Sequence, residues 1–391
     1  MKYKNSLLIV VMLLFVACTN HDMEEIIVPT EGYIYFNTEV SSRGTLVVND
    51  LQGKDFAVTG YKYTGDWNTV KVQAKPDGLL YNLPIRWNST SNSHTYDAYP
   101  NDGNNALVAW EAEKNYTFFA HYPYVANTNA TNDLIEVSEA SNEGVPYIVY
   151  NMPTGNDVNQ LVDVMTASHY DTNNAYSNAV GLTFKHRLVA MDVQARNFNE
   201  PDEETGKPLN ILITSLTMKL NNLAYNQATL MMDASLPNAS TFTKTISGTW
   251  QPQYTLITEV PIMVAPTGTQ SGDGEPTNLT GTKDYLETTL IFMPQNGVKN
   301  QEGVTEYLKG TITFSYQYVD NEGNVLKVID GKSVGDKDGI ILVENMAFTT
   351  GKNMVAGRRY CFQMSFSRST ITIAVVESGE WTDKNVNIEF E

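Results

Sequence analysis

Residues 181–194 read Gly181-Leu182-Thr183-Phe184-Lys185-His186-Arg187-Leu188-Val189-Ala190-Met191-Asp192-Val193-Gln194. Leu182 and Phe184 alternate with Gly181, Thr183 and Lys185, and Leu188 and Ala190 resume the same spacing after Arg187. A period of two predicts a strand with one buried face. On this pattern the stretch is one long strand, with His186 on the solvent face beside Lys185 and Arg187.

The same alternation recurs on both sides of it. Val70 to Ala74 alternates and then meets the turn signal Pro76-Asp77-Gly78. Tyr116-Thr117-Phe118-Phe119-Ala120-His121-Tyr122 stops at Pro123. Leu212 to Leu220, Thr311 to Val319 and Thr370 to Val375 alternate cleanly. Asp320-Asn321-Glu322-Gly323-Asn324 reads as a hairpin loop leading into Val325 to Val328. Half-buried runs bounded by Gly, Asn, Asp and Pro predict antiparallel strands, and no amphipathic helix competes with them. The expected class is all-β, built as β-sandwiches. No fixed-period repeat is present.

The chain has 391 residues, which suggests two domains. The best boundary is the polar stretch Asn197 to Pro208, with its acids, two prolines and a glycine. It divides an N-terminal domain, 33–198, from a C-terminal domain, 207–391. A second polar stretch, Thr267 to Asp284, reads as a surface loop. The net charge of −18 repels nucleic acid and anionic membranes, and no basic stripe offsets it.

The N-terminus has its own grammar. Lys2 and Lys4 precede Leu7 to Ala17, a run of 11 uncharged, apolar residues. That is too short to span a bilayer and suits an export signal over residues 1–17. Cys18 follows at once and is the expected lipid attachment site, with ordinary secretion and cleavage near Ala17 as the alternative. The lipobox match is imperfect, with Phe15 where leucine is usual. Removing residues 1–17 takes Lys2 and Lys4 away and makes the chain more acidic still. Residues 18–32 then form a polar tether that begins Thr19-Asn20-His21-Asp22-Met23-Glu24-Glu25. Tyr33 to Val40 alternates like a strand and is closed by Ser41-Ser42-Arg43-Gly44. With Cys18 lipidated, Cys361 has no partner, so no disulfide framework is expected.

Catalytic motifs are missing. The five histidines are His21, His94, His121, His169 and His186, and none sits in an H-E-x-x-H pattern. There is no G-x-S-x-G, P-loop or G-x-G-x-x-G. His121 and His186 read as a loop-edge and a sheet-surface histidine. Asp336-Lys337-Asp338-Gly339 has the start of a calcium loop but no bidentate glutamate at the right spacing, so a turn is expected. No metal and no cofactor follow from these residues. Trp67, Trp87, Trp110, Trp250 and Trp381 are either core residues or the lining of a glycan site.

Three motifs together resemble a family. Trp110 with Tyr116 to Pro123 is similar to an aromatic strand ending in FFAYYP. Leu161-Val162-Asp163-Val164-Met165-Thr166-Ala167, followed by Val180 to Leu188, resembles a DLL-A…V-L-F-KHAL-K block, although Arg187 replaces the usual small residue after His. Val355-Ala356-Gly357-Arg358-Arg359-Tyr360 resembles an AGKRY turn. In this order, behind a lipoprotein-like signal, they resemble the fimbrillin family of Bacteroidetes pilins and the related Mfa-like lipoproteins.

The resemblance implies two tandem transthyretin-like or Ig-like antiparallel β-sandwich domains and a non-enzymatic fimbrial subunit. It implies display on the outer membrane through a lipid anchor at Cys18, toward which the acidic residues after Cys18 also point. Members are cut after an arginine by an Arg-specific protease. The matching position is Arg43, before Gly44, and it is the sole arginine ahead of Arg86. Cutting removes the first strand, here with Ile34 and Phe36, and opens a groove. A terminal strand of the next subunit fills it. Val386, Ile388 and Phe390 in the alternating C-terminal run are the donor candidates, unless that run closes its own domain. The expected partners are other fimbrial subunits, whether self, anchor or tip, and a host or bacterial surface ligand. The alternatives are a surface glycan-binding lipoprotein of a carbohydrate-uptake system and, more remotely, a secreted hydrolase.

Overall fold

The computed structural model describes residues 32–380, apart from internal segments at 43–44, 49–50, 72–78, 97–106, 127–133, 154–159, 174–178, 202–205, 207, 222–224, 234–240, 244–251, 258–260, 267–276, 280–289, 300, 327–341 and 368–369. Up to residue 197 the strands are β1 (Phe36–Ser42), β2 (Thr45–Val48), β3 (Phe56–Tyr63), β4 (Leu80–Asn88), β5 (Ser93–Thr95), β6 (Asn115–Tyr122), β7 (Ile135–Val137), β8 (Tyr147–Asn151), β9 (Met165–Asn173), β10 (Val180–His186) and β11 (Val189–Asn197). Beyond it come β12 (Asn210–Leu220), β13 (Gln227–Met231), β14 (Thr241–Thr243), β15 (Gln253–Ile257), β16 (Ile262–Val264), β17 (Thr277–Asn278), β18 (Leu290–Phe292), β19 (Val298–Lys299), β20 (Thr305–Glu306), β21 (Lys309–Val319), β22 (Leu342–Thr349), β23 (Arg358–Phe366) and β24 (Ile371–Glu380). The all-β expectation is met. The described helix is α1 (Trp67–Val70), one turn capped by the Asp66 side chain, which accepts from the Thr69 backbone N–H. Val70, read as the start of a strand, therefore ends a helical turn instead. No described helix is long and apolar enough to cross a membrane.

An eight-stranded sheet runs β2-β1-β10-β9-β6-β3-β4-β5. It curls, and its two ends approach each other. The Tyr96 hydroxyl, just past β5, donates to the Ile34 carbonyl at 2.7 Å. Inside the curl Phe36, Phe56, Val58, Phe118, Val180, Leu182 and Phe184 form one core. The central strands β3 and β6 are buried on both faces, because Tyr61, Trp67 and Phe119 pack outward into a second core. That explains why Tyr116 to His121 reads as a nearly unbroken apolar run.

The second core fills the space between two more sheets. One runs β17-β11-β23-β24 with β18 on β11, and the other β15-β12-β21-β22 with β16 on β12. Val193, Phe362 and Met364 meet Ile213, Leu216, Ile312 and Phe314 across it. On β12 and β21 the alternation is as expected, with Thr217 and Thr313 turned outward and directly paired. A bulge between Ile213 and Ser215 interrupts the register. A four-stranded sheet, β14-β13-β8-β7, joins strands from either side of the 197–208 stretch. The turn after β21 forms as expected, with Gly323 N–H donating to Asp320 and Val319 bridging Val325. Within the expected loop 267–284, Thr277 and Asn278 form β17 and pair with β11.

Two features depart from the alternation. The stretch 181–194 is not one strand: β10 ends at His186, β11 begins at Val189, and they lie in different sheets. The backbone switches partners at the joint. Arg187 N–H donates to Val164 O of the first sheet's side, and Leu188 O accepts from Gly357 N–H ahead of β23. From His186 to Val193 every residue is buried, so the period of two is lost there. The second departure is direction. The sheets are otherwise antiparallel, but β1 runs parallel to β10 and β11 parallel to β23.

Candidate functional site

The residues singled out as a removable strand, Ile34 and Phe36, lie at the seat of β1. Among the described side chains Ile34, Phe36 and Thr38 alternate inward there, and all are buried. In the parallel ladder Phe36 lies beside Val180, Thr38 beside Leu182 and Val40 beside Phe184. Paired positions share a face, so Thr38 points at the same apolar core as Phe36. Phe36 sits edge-on to Phe118 at 5.2 Å between centroids and tilted against Tyr96 at 6.2 Å.

Both edges of this segment are hydrogen-bonded. On one side Val180 N–H donates to Tyr35 O at 2.7 Å, continuing into the β10 ladder. On the other, Ile34 N–H donates to Val108 O at 2.8 Å and Trp110 N–H to Gly32 O at 2.7 Å. Further along, Glu39 to Ser42 pair with β2. Burial raises the Tyr96 phenol pKa well above its ordinary value, so the hydroxyl keeps its proton for Ile34 O. Sequence reasoning missed Tyr96, Thr38 and the 107–110 segment. Their signal is weak, since a lone tyrosine after a short strand and a threonine in an alternating run are ordinary.

The chain passes from Ser42 to its partner Thr45 through Arg43 and Gly44. Arg43, Gly44, Cys18, Val386, Ile388 and Phe390 lie outside the described residues, as do Asp336 to Gly339, Trp250 and Trp381.

The histidine expectations are corrected. His186 is not on a solvent face. It is buried at the β10–β11 joint, with Nδ1 2.9 Å from Asp163 Oδ2. Arg187, next to it, is also buried; burial lowers its pKa and the charge of Asp233 opposes that. His121 is no loop-edge residue either. Its Nδ1 donates to Pro123 O at 3.0 Å, and Nε2 faces the Asn82 carboxamide at 3.0 Å. Burial pushes its pKa down to about 4, against the Pro123 hydrogen bond, so the ring is neutral. Cys361 is a buried free thiol on β23, and burial raises its pKa. Asp192 and Arg359 form a buried ion pair at 3.5 Å across the β11–β23 ladder. Among the described residues no group of His, Cys, Asp or Glu could hold a metal ion. Trp67 is core, its ring tilted against those of Tyr61 and Phe119, while Trp87 and Trp110 are half-buried.

Comparison with known proteins converges. Over its whole length the chain is 25% identical to the fimbrium subunit Fim1C of Phocaeicola vulgatus, also covered in full. Its fold is similar to that of a fimbrial protein from Bacteroides vulgatus, with a TM-score of 0.57 at 20% identity, covering 90% of this chain and 99% of that one. The fimbrillin-like family model matches residues 74–381, a span that holds β10 and the 107–110 segment but not β1. With nearly four-fifths of its length matched, the chain belongs to the fimbrillin-like family.

Proposed function

We propose that this fimbrial structural subunit is exported, acylated at Cys18, held on the outer membrane, and joined to its neighbours by exchange of β1. The observation that carries the reading is the seat of β1. The strand fills a core and is bonded along both edges, yet the chain leaves it through Arg43 and Gly44 directly after Ser42. An Arg-specific protease that hydrolyses the Arg43–Gly44 bond would separate β1 from the body. Its loss would bare the β10 edge and the pockets of Ile34 and Phe36, an arrangement that invites another strand. Val386, Ile388 and Phe390 have the spacing to enter those pockets. Each would contribute roughly 1.5–3 kcal/mol on burial.

In this reading the first unit is the eight-stranded curl and the second the two-sheet sandwich, with the crossing at Arg187 and Leu188. The partners are other fimbrial subunits, the lipid anchor and a surface ligand, and the protein turns over no substrate. Burial of Trp67 weighs against the glycan-binding alternative. The test is incubation of purified chain with an Arg-specific protease. Cutting after Arg43 followed by SDS-resistant oligomers is expected. An uncut chain that stays monomeric would refute strand exchange.

A further inference from the structure

We infer that Thr38 is the residue that makes β1 replaceable, and that the third inward pocket of its seat selects an incoming strand with an apolar side chain there. This rests on the strand-exchange reading above. Thr38 is 1% exposed, and its hydroxyl oxygen has no hydrogen-bond partner among the described residues. Its ladder neighbour is Leu182, and the flanking β10 residues Val180 and Phe184 are fully buried in the same core. A buried hydroxyl without a partner forfeits its hydration with nothing in return.

The other two inward positions contrast with it. Ile34 and Phe36 are apolar, and Phe36 packs against two rings. The seat is thus well filled at two positions and ill matched at the third. The ladder holding Thr38 is parallel, the weaker of the two ladder types. A strand with three apolar residues at alternate positions removes the mismatch, and Val386-Asn387-Ile388-Glu389-Phe390 has that pattern. Thr38 therefore gives exchange a direction. The resident strand holds the fold together until it is cut, and the newcomer binds the same seat more tightly.

The test compares wild type, Thr38→Val, which keeps the shape and removes the hydroxyl, and Thr172→Val. Thr172 on β9 is also a buried hydroxyl without a partner, but away from the seat. After cutting with an Arg-specific protease, release of the N-terminal peptide is followed by size exclusion and mass spectrometry. Release from Thr38→Val should be about tenfold slower than from wild type, and release from Thr172→Val unchanged. In the intact chain, amide hydrogen exchange of residues 36–42 should slow about tenfold in Thr38→Val. Unchanged exchange there overturns the inference, as does unchanged release from a cut chain. If Arg43 is not cut but exchange slows, the mismatch stands and the processing reading falls.

Discussion

Truncating Phe36 to alanine tests the seat of β1 most directly. The side chain is 6% exposed and lies between Phe118 and Tyr96 at 5.2 and 6.2 Å. Replacing a buried phenylalanine by alanine costs about 3–5 kcal/mol, made up of lost transfer energy and the cavity left behind. Both ring contacts also go, and such contacts are worth about 0.5–1.5 kcal/mol each within that total. The seat is closed on one edge by β10 and on the other by residues 108–110, so it has little freedom to collapse. We therefore expect about 4 kcal/mol. With a urea slope of about 3 kcal/mol/M, the midpoint of the intact chain falls by about 1.3 M. After cutting and release of β1, the variant and wild-type bodies should unfold at the same midpoint, because the substitution has left with the strand. A loss below about 1 kcal/mol in the intact chain would show that Phe36 does not fill this core.

Tyr96→Phe removes the hydroxyl that donates to Ile34 O and should cost about 1 kcal/mol, read as faster amide exchange around residues 34–36. Asp192→Ala removes the carboxylate 3.5 Å from the buried Arg359 guanidinium and should cost about 3–5 kcal/mol in urea unfolding; Asp192→Ala with Arg359→Met should cost clearly less than the sum of the singles. His121 is held near a pKa of 4, against 6.5 in the unfolded chain, so the unfolded state takes up its proton first as pH falls. Its contribution is full above pH 6.5 and is lost as pH drops toward 4, about 3 kcal/mol in all, and His121→Gln should remove that part of the pH slope.

The all-β class was legible because β12, β21 and β22 bury one face each, and Thr311 to Val319 shows that plainly. Partner and direction were not legible. A period of two says which side chains face inward, but it is the same for a parallel and an antiparallel neighbour. Nothing local could reveal that β1 lies beside β10 or β11 beside β23. The strand over 181–194 misled for a related reason. At Arg187 the chain passes from one sheet to another, and residues buried on every side carry no alternation to read. His186 and His121 looked superficial because a polar residue in a strand is normally on the wet face. Here each has a buried partner supplied from elsewhere, Asp163 and Asn82. The seat of β1 was legible only at Ile34 and Phe36, because Tyr96 and Val108 reach it from far along the chain.

The parallel pairing of β11 with β23 bears on the order in which the molecule assembles. Every strand of the eight-stranded sheet lies between Phe36 and His186. Val193 must wait for Phe362 before its ladder closes. Closing so long a loop is entropically costly, and such non-local pairing slows folding. A chain made N-terminus first can therefore finish its first sheet, with β1 installed, before β23 and β24 join the second. In that interval β11 is an open template for other chains. The second sheet is thus the last part of this fold to close, and Tyr61, Trp67 and Phe119, which pack outward from the first, stay uncovered until the second core forms.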